Sequence, residues 1–172
     1  SGVAMLLMLA DYYSHNLPDL NIAFILFAAE EEGLIGSNLF VERMPFDSKN
    51  VKAMINYDMV GRMSDSALTI SGTGSAEEFE SILDSYNGRP VSINYGKGAY
   101  AGSDQAAFYS EGIPVLFFNS GLHDDYHTPE DDIDKINFQG MELIAELSIN
   151  ILDSIMNNKT NVLILTAPFG GG

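Results

Sequence analysis

Three acidic or imidazole-bearing stretches stand where strands should end. The apolar run Ile22 to Ala29 leads straight into Glu30-Glu31-Glu32. The apolar run Val51 to Tyr57 stops at Asp58. The run Ile113 to Phe118 opens into a loop carrying His123, Asp124, Asp125 and His127. Adjacent carboxylates repel, and burial disfavours both charged forms. A divalent cation removes that cost: one carboxylate binds it while its neighbour serves as general base on the metal-bound water. The chain has no cysteine, so thiolate sites and disulfides are excluded, and its only imidazoles are His15, His123 and His127. Oxygen and nitrogen donors of this kind suit zinc in an open, catalytic site. On residue types alone, a solvated acidic loop and a surface His127 explain the pattern equally well.

The elements that must position these residues follow from periodicity. A helical stripe covers 2–16, with Ser1 as a possible cap. Ile22–Ala29 reads as a buried strand, too short and too uniformly apolar for most helices. A helix is expected over 33–44, then strands at 51–57 and 67–71. Ser75 and Glu78 have capping-box spacing, which predicts a helix from there to Tyr86. A strand at 91–95, a helix at 103–111, a strand at 113–118 and a long helix at 138–156 follow. A last strand spans 161–167. The alternation implies one α/β domain over 1–172, a three-layer α/β/α arrangement with a mixed, mostly parallel sheet of six to eight strands. Open sheets of this class bind ligands at the carboxyl ends of their strands, where the three stretches would converge.

Composition narrows the partners. A net charge of −16 argues against nucleic acid. No apolar run reaches the roughly 20 residues that span a bilayer, and no basic leader precedes Ser1, so neither membrane nor signal peptide is expected. Met5, Met8, Met54, Met59, Met63, Met141 and Met156 read as core filler.

Four segments resemble the secreted zinc aminopeptidase family, which includes bacterial leucyl aminopeptidases and shares its fold with glutaminyl cyclases. Ala28-Ala29-Glu30-Glu31-Glu32-Gly33-Leu34-Ile35-Gly36-Ser37 is similar to the family's Ala-Glu-Glu-x-Gly-Leu-x-Gly-Ser signature. Asn56-Tyr57-Asp58-Met59-Val60-Gly61 is similar to Asn-x-Asp-Met-x-Gly. Ser103-Asp104 with Phe108, then Gly112-Ile113-Pro114, and Tyr126-His127 with Asp131 complete the set, in the family's order. The resemblance implies a co-catalytic dizinc exopeptidase that releases N-terminal residues from peptides and is exported to the periplasm or beyond. Carried over by position, Glu30 is the general base, Glu31 and His127 bind one zinc, and Asp58 binds the other. Asp104 acts behind the ligands or on the substrate amine. For Asp104 alone, a carboxylate at a helix N-terminus is as good an explanation.

The resemblance also implies two departures. The family's bridging Asp would precede Ser1, and its His-x-Asp motif would follow an early strand. Here Asn161-Val-Leu-Ile-Leu-Thr-Ala167 resembles that strand but comes last, with Pro168 at the His position and Gly170 at the Asp position. The expectation is an engineered circular permutation through an Asn157–Thr160 linker, with a natural fragment whose last strand merely resembles the missing one as the alternative; zinc is expected to be weakly held or absent and peptidase activity impaired. The alternatives are an inactive scaffold of the same fold and a glutaminyl cyclase-like transferase. Oligomeric state is open at this stage.

Overall fold

The computed structural model describes residues 1–100, 102–156 and 162–169. Its elements run α1 (Gly2–His15), β1 (Asn21–Phe27), α2 (Ile35–Glu42), β2 (Val51–Tyr57), β3 (Ala67–Ser71), α3 (Phe79–Tyr86), β4 (Ser92–Gly96), α4 (Gln105–Ser110), β5 (Val115–Asn119), α5 (Phe138–Met156) and β6 (Val162–Pro168). The six strands form one sheet in the order β1-β6-β2-β5-β3-β4. Strands β1, β6, β2 and β5 are parallel; β3 runs antiparallel to β5, and β4 parallel to β3. The domain is thus α/β with the mixed, mostly parallel sheet expected.

Helices cover both faces, which is why the central strands are apolar throughout. In β2, Ala53, Ile55 and Tyr57 pack beneath α1, α3 and α5, while Met54 packs against the α2 and α4 side. In β6, Leu163, Leu165 and Ala167 take the first face and Ile164 the second. The Tyr57 and Phe118 rings meet at 5.0 Å in one layer. Phe27, Phe40 and Phe108 cluster at 5.5–5.9 Å in the other.

Helix α1 enters over the sheet so closely that only glycine fits at position 2. A Cβ there would lie 2.1 Å from the Tyr57 carbonyl oxygen and 2.8 Å from Ala167 Cβ. Gly2→Ala is expected to cost about 1–3 kcal/mol through overpacking, and so to lower Tm by roughly 2–12 °C at the usual 2–4 °C per kcal/mol. Thermal denaturation checks this.

Several expected boundaries move. Strand β1 ends at Phe27, because Ala29 turns into the left-handed region (φ 58°). Helix α2 is shorter than 33–44, and α4 is shorter than 103–111. Ser1 does not cap α1; its hydroxyl accepts from the Val60 N–H instead. The Ser75–Glu78 capping box does not form. The Ser75 hydroxyl accepts from the Val115 N–H and gives its one proton to the Gly72 carbonyl at 2.7 Å, with the Val115 carbonyl at 3.0 Å as the alternative acceptor, while Glu78 pairs with Lys52 at 2.8 Å. Tertiary partners outcompete the local cap at both sites. Met8 is 39% exposed rather than core. No described helix is long and apolar enough to cross a membrane.

The last strand lies between β1 and β2 and pairs with both. Along β1 the register runs unbroken from Asn21↔Val162 to Phe27↔Pro168. The Asn157–Thr160 linker, Gly170 and Gly172 lie outside the described residues.

Candidate active site

Because β1, β6, β2 and β5 are parallel, their carboxyl ends share one edge of the sheet. Glu30 and Glu31 follow β1, Asp58 follows β2, Pro168 closes β6, and Asn119 closes β5; these residues line one pocket, with Tyr126 as part of its wall. The chain reverses sharply around them. Ala29, Met59 and His127 all sit at φ of 57–58°. Left-handed non-glycine residues are costly, by about 1–3 kcal/mol each where nothing compensates. Here each flanks or is a candidate site residue. The β2 and β5 ends are tied together: Asp58 N–H donates to the Phe118 carbonyl, and the Asn119 amide donates to the Asp58 carbonyl at 3.1 Å.

His127 arrives from the loop after β5. Its Nε2 lies 2.9 Å from Glu31 Oε1, and its ring stacks on Tyr126 at 3.9 Å. Arg62 holds that loop down. Its guanidinium donates to Asp125 at 2.9 Å and to Asp131, while Lys135 donates to Asp125 from the other side. These cations hold the Asp125 carboxyl below its ordinary range.

The carboxylates opposite are pushed the other way. Glu30 is raised to about 7, first by burial, then by the charges of Asp58, Glu31 and Asp104; His127 opposes the shift. Repulsion within the Glu30-Glu31 pair contributes, but burial is the larger cause. Asp58 is raised by burial and by Glu31, against a hydrogen bond from Ser103. Asp104 is fully buried, and neither carboxyl oxygen has a hydrogen-bond partner. Burial is the main cause of its raised pKa, with Asp58 adding to it and the nearby Ser37 hydroxyl opposing it.

A buried chain of hydrogen bonds runs from β6 to Asp58. Thr166 Oγ1 donates to Asn56 Oδ1 at 3.0 Å, Asn56 Nδ2 donates to Ser103 Oγ at 2.8 Å, and Ser103 donates to Asp58 Oδ2 at 2.9 Å. Asn56 Nδ2 also reaches Gln105 Oε1 at 3.0 Å. Each hydroxyl has one proton, so the order of donation fixes Ser103 as donor to Asp58. Thr166→Val leaves Asn56 Oδ1 buried and unpaired. A loss of about 1–3 kcal/mol in chemical denaturation is expected, with Thr166→Ser restoring most of it.

The structure brings some of these candidates together and leaves others apart. Glu30, Glu31, Asp58 and His127 converge. Asp104 lies behind them in the interior rather than on the pocket wall. His123 is more buried than a loop residue should be, 3.9 Å from Asp131. Ser103, Asn56 and Thr166 were not singled out as site residues; their signal is an Asn and a Thr inside otherwise apolar strands. Among the described residues, no three His, Asp or Glu side chains surround a common point fit for a metal ion. A catalytic zinc takes three protein ligands as a rule. Glu31 and His127 supply two, so the described donor set does not complete a zinc site.

Known proteins share this architecture. The structure of the LapA aminopeptidase of Legionella pneumophila matches over 77% of this chain and 38% of its own, at TM-score 0.64 and 24% identity. An aminopeptidase from Aneurinibacillus sp. strain AM-1 matches at TM-score 0.62 and 25% identity, over 78% of this chain and 35% of its own. Among curated relatives, a probable leucine aminopeptidase of Arthroderma benhamiae is 28% identical over 151 residues, which is 78% of this chain and 38% of that protein. A probable zinc metalloprotease of Pyrenophora teres f. teres is 46% identical over 61 residues, 36% of this chain and 13% of that protein. The chain thus spans well under half the length of these relatives. The model of peptidase family M28 matches residues 1–152, and with the sheet, the shared fold and the order of the strand-end motifs this chain belongs to peptidase family M28.

Proposed function

We propose that this chain is the carboxylate-bearing part of a metal-dependent aminopeptidase, acting on peptide N-termini with a rate limited by an incomplete ligand set. The observation that carries the reading is the meeting of Glu30, Glu31 and Asp58 in one pocket, with His127 on Glu31. In this reading Glu31 and His127 would hold one zinc and Asp58 would hold another, and the metal would supply a Lewis acid. Glu30 takes a proton from the attacking water. Its pKa near 7 matches what a general base working near neutrality needs. Asp104 acts from behind, through its charge on Asp58 and Glu30. Pro168 lines the pocket at the position where the family resemblance puts a histidine ligand. That supports a permuted strand.

The test is hydrolysis of a leucine chromogenic anilide with zinc added. Turnover should be slight but above blank, and Glu30→Gln should lower it by about 100-fold or more, to background. The residual rate should also rise with pH through about 7, because Glu30 accepts a proton only when ionised. A Glu30→Gln variant as active as wild type would remove the base assignment. The absence of three converging donors among the described residues favours one rival, an inactive scaffold of the same fold. That rival predicts no turnover above blank at any zinc concentration.

A further inference from the structure

The stretch that carries His127 runs from Ser120, just past β5, to Asn137, just before α5, and holds one short 3-10 turn at Ile133–Lys135. Its two ends are pinned to one partner. At the start, the Ser120 N–H and hydroxyl both donate to the Met59 carbonyl, and Ser120 Oγ accepts from the Arg62 N–H at 3.2 Å. At the far end, the Asn137 N–H donates to the Gly61 carbonyl at 2.9 Å, and its side-chain amide donates to the Met63 carbonyl at 2.7 Å. The partner is the segment 59–63, which follows Asp58 directly.

Between those pins the loop has little to hold it. Leu122 is 79% exposed and Ile133 73%, so neither anchors it in a core. Its backbone hydrogen bonds are local turns, such as Tyr126 N–H to the His123 carbonyl and Thr128 N–H to the Asp125 carbonyl. Lys135 pairs with Asp125 within the loop, and His123 stands 3.9 Å from Asp131, also within it. A segment with few buried contacts and exposed backbone opens easily. Among the described residues, the only side chains outside the loop that reach 122–135 by hydrogen bond or ion pair are Glu31, which meets His127, and Arg62. Arg62 grips the chain on both sides of His127. Its Nη2 donates to Asp125 Oδ2 at 2.9 Å, two residues before, and to Asp131 Oδ1, four residues after; its Nε reaches the same Asp131 oxygen at 3.2 Å. A planar guanidinium fixes two carboxylates relative to each other in a way that a point charge does not.

We infer that Arg62 is a positioning residue: it sets His127 against Glu31 by clamping Asp125 and Asp131 to the segment that continues Asp58. The inference rests on the reading in which Glu31 and His127 hold a zinc ion. It adds that the two strand ends do not place His127 by themselves. The same five-residue segment that leaves Asp58 at the pocket also carries the clamp, so Asp58 and His127 are held in one frame. Partners that orient a metal ligand from behind change metal affinity by about 10–100-fold when they are removed.

Two measurements on Arg62→Gln in the full chain test this. The first needs no metal. Lys135 is the one lysine or arginine in the loop, and trypsin cleavage after it follows the population of opened loop. Cleavage there should be faster than in the wild type by about tenfold or more. The second is competition between the protein and a chelator for zinc alone, where the Kd should rise by about tenfold or more. Adding Arg62→Gln to His127→Ala should then weaken zinc no further than His127→Ala does, because a positioning residue acts through the residue it positions; a general loss of stability would add its own effect. Asp131→Asn removes part of the clamp from the loop side, should act in the same direction on both readouts, and serves if Arg62→Gln fails to fold. A loop as resistant as the wild type's overturns the inference. So does a zinc Kd untouched by Arg62→Gln but raised by His127→Ala, or additive effects in the double variant. If His127→Ala leaves zinc binding unchanged, the zinc reading itself fails, and cleavage after Lys135 decides the clamp alone: faster cleavage upholds it and unchanged cleavage overturns it.

Discussion

Replacing Asp104 by asparagine should raise the melting temperature of the metal-free protein at pH 7, by roughly 2–12 °C. The carboxylate is fully buried, and both its oxygens lack hydrogen-bond partners. Burying the ionised carboxylate beside Asp58 costs more than burying a neutral amide in its place, by about 1–3 kcal/mol, and each kcal/mol is about 2–4 °C of Tm in a domain this size. Asparagine keeps the shape and removes the charge that Asp58 opposes. Most substitutions at a fully buried polar position destabilise, so the direction is diagnostic.

The pH dependence carries the same sign. Glu30, Asp58 and Asp104 all have raised pKa values in the folded chain. A raised folded value means the folded state binds the proton more tightly than the unfolded state, so stability falls as pH rises between the two values. For Glu30 that window runs from 4.5 to about 7. The wild type should therefore melt higher at pH 5.5 than at pH 8. Glu30→Gln should flatten the profile across that window, by about 1–2 kcal/mol once screening at this half-exposed position is allowed for. The advantage of Asp104→Asn over wild type should shrink as pH falls. Thermal melts at several pH values check all three.

The second large effect is a gain. Pro168 ends β6 on the pocket wall with Glu30, Glu31 and Asp58, and the family resemblance puts a histidine there and an aspartate at 170. Pro168→His should tighten zinc binding by on the order of 100-fold, since it lifts the protein donors toward the three that catalytic zinc takes. Leucine anilide turnover should rise with it. Competition with a chromogenic chelator measures the first and initial rates the second. If affinity stays flat while the variant folds, Pro168 is not where a ligand belongs.

The candidate site residues were legible because they stand at the ends of strands. Glu30, Asp58 and His127 follow apolar runs whose parallel pairing follows from the alternation of helices and strands. The resemblance of the last strand to an early strand of the family put it beside β1, and its pairing with β2 as well came only with the sheet order. The hydrogen-bond chain from Thr166 to Asp58 was not legible, because its members are far apart in sequence and only the sheet order joins them. The caps failed for the same reason: Ser1 and Ser75 found better partners in segments distant in sequence, the loop after β2 and the start of β5. Nor could the sequence show Asp104 as buried and unpaired, since a carboxylate before a helix is usually a solvated cap.

Among the described residues the proposed centre has its carboxylates but no three donors around one point. Zinc titration of the metal-free chain by calorimetry, with thermal melts at each ratio, tests that most directly. The expected result is weak binding, with Kd no tighter than micromolar, a small rise in Tm even at excess zinc, and turnover of leucine anilide close to blank. Stoichiometric binding of two zinc ions with a Tm rise of several degrees and robust turnover would contradict it.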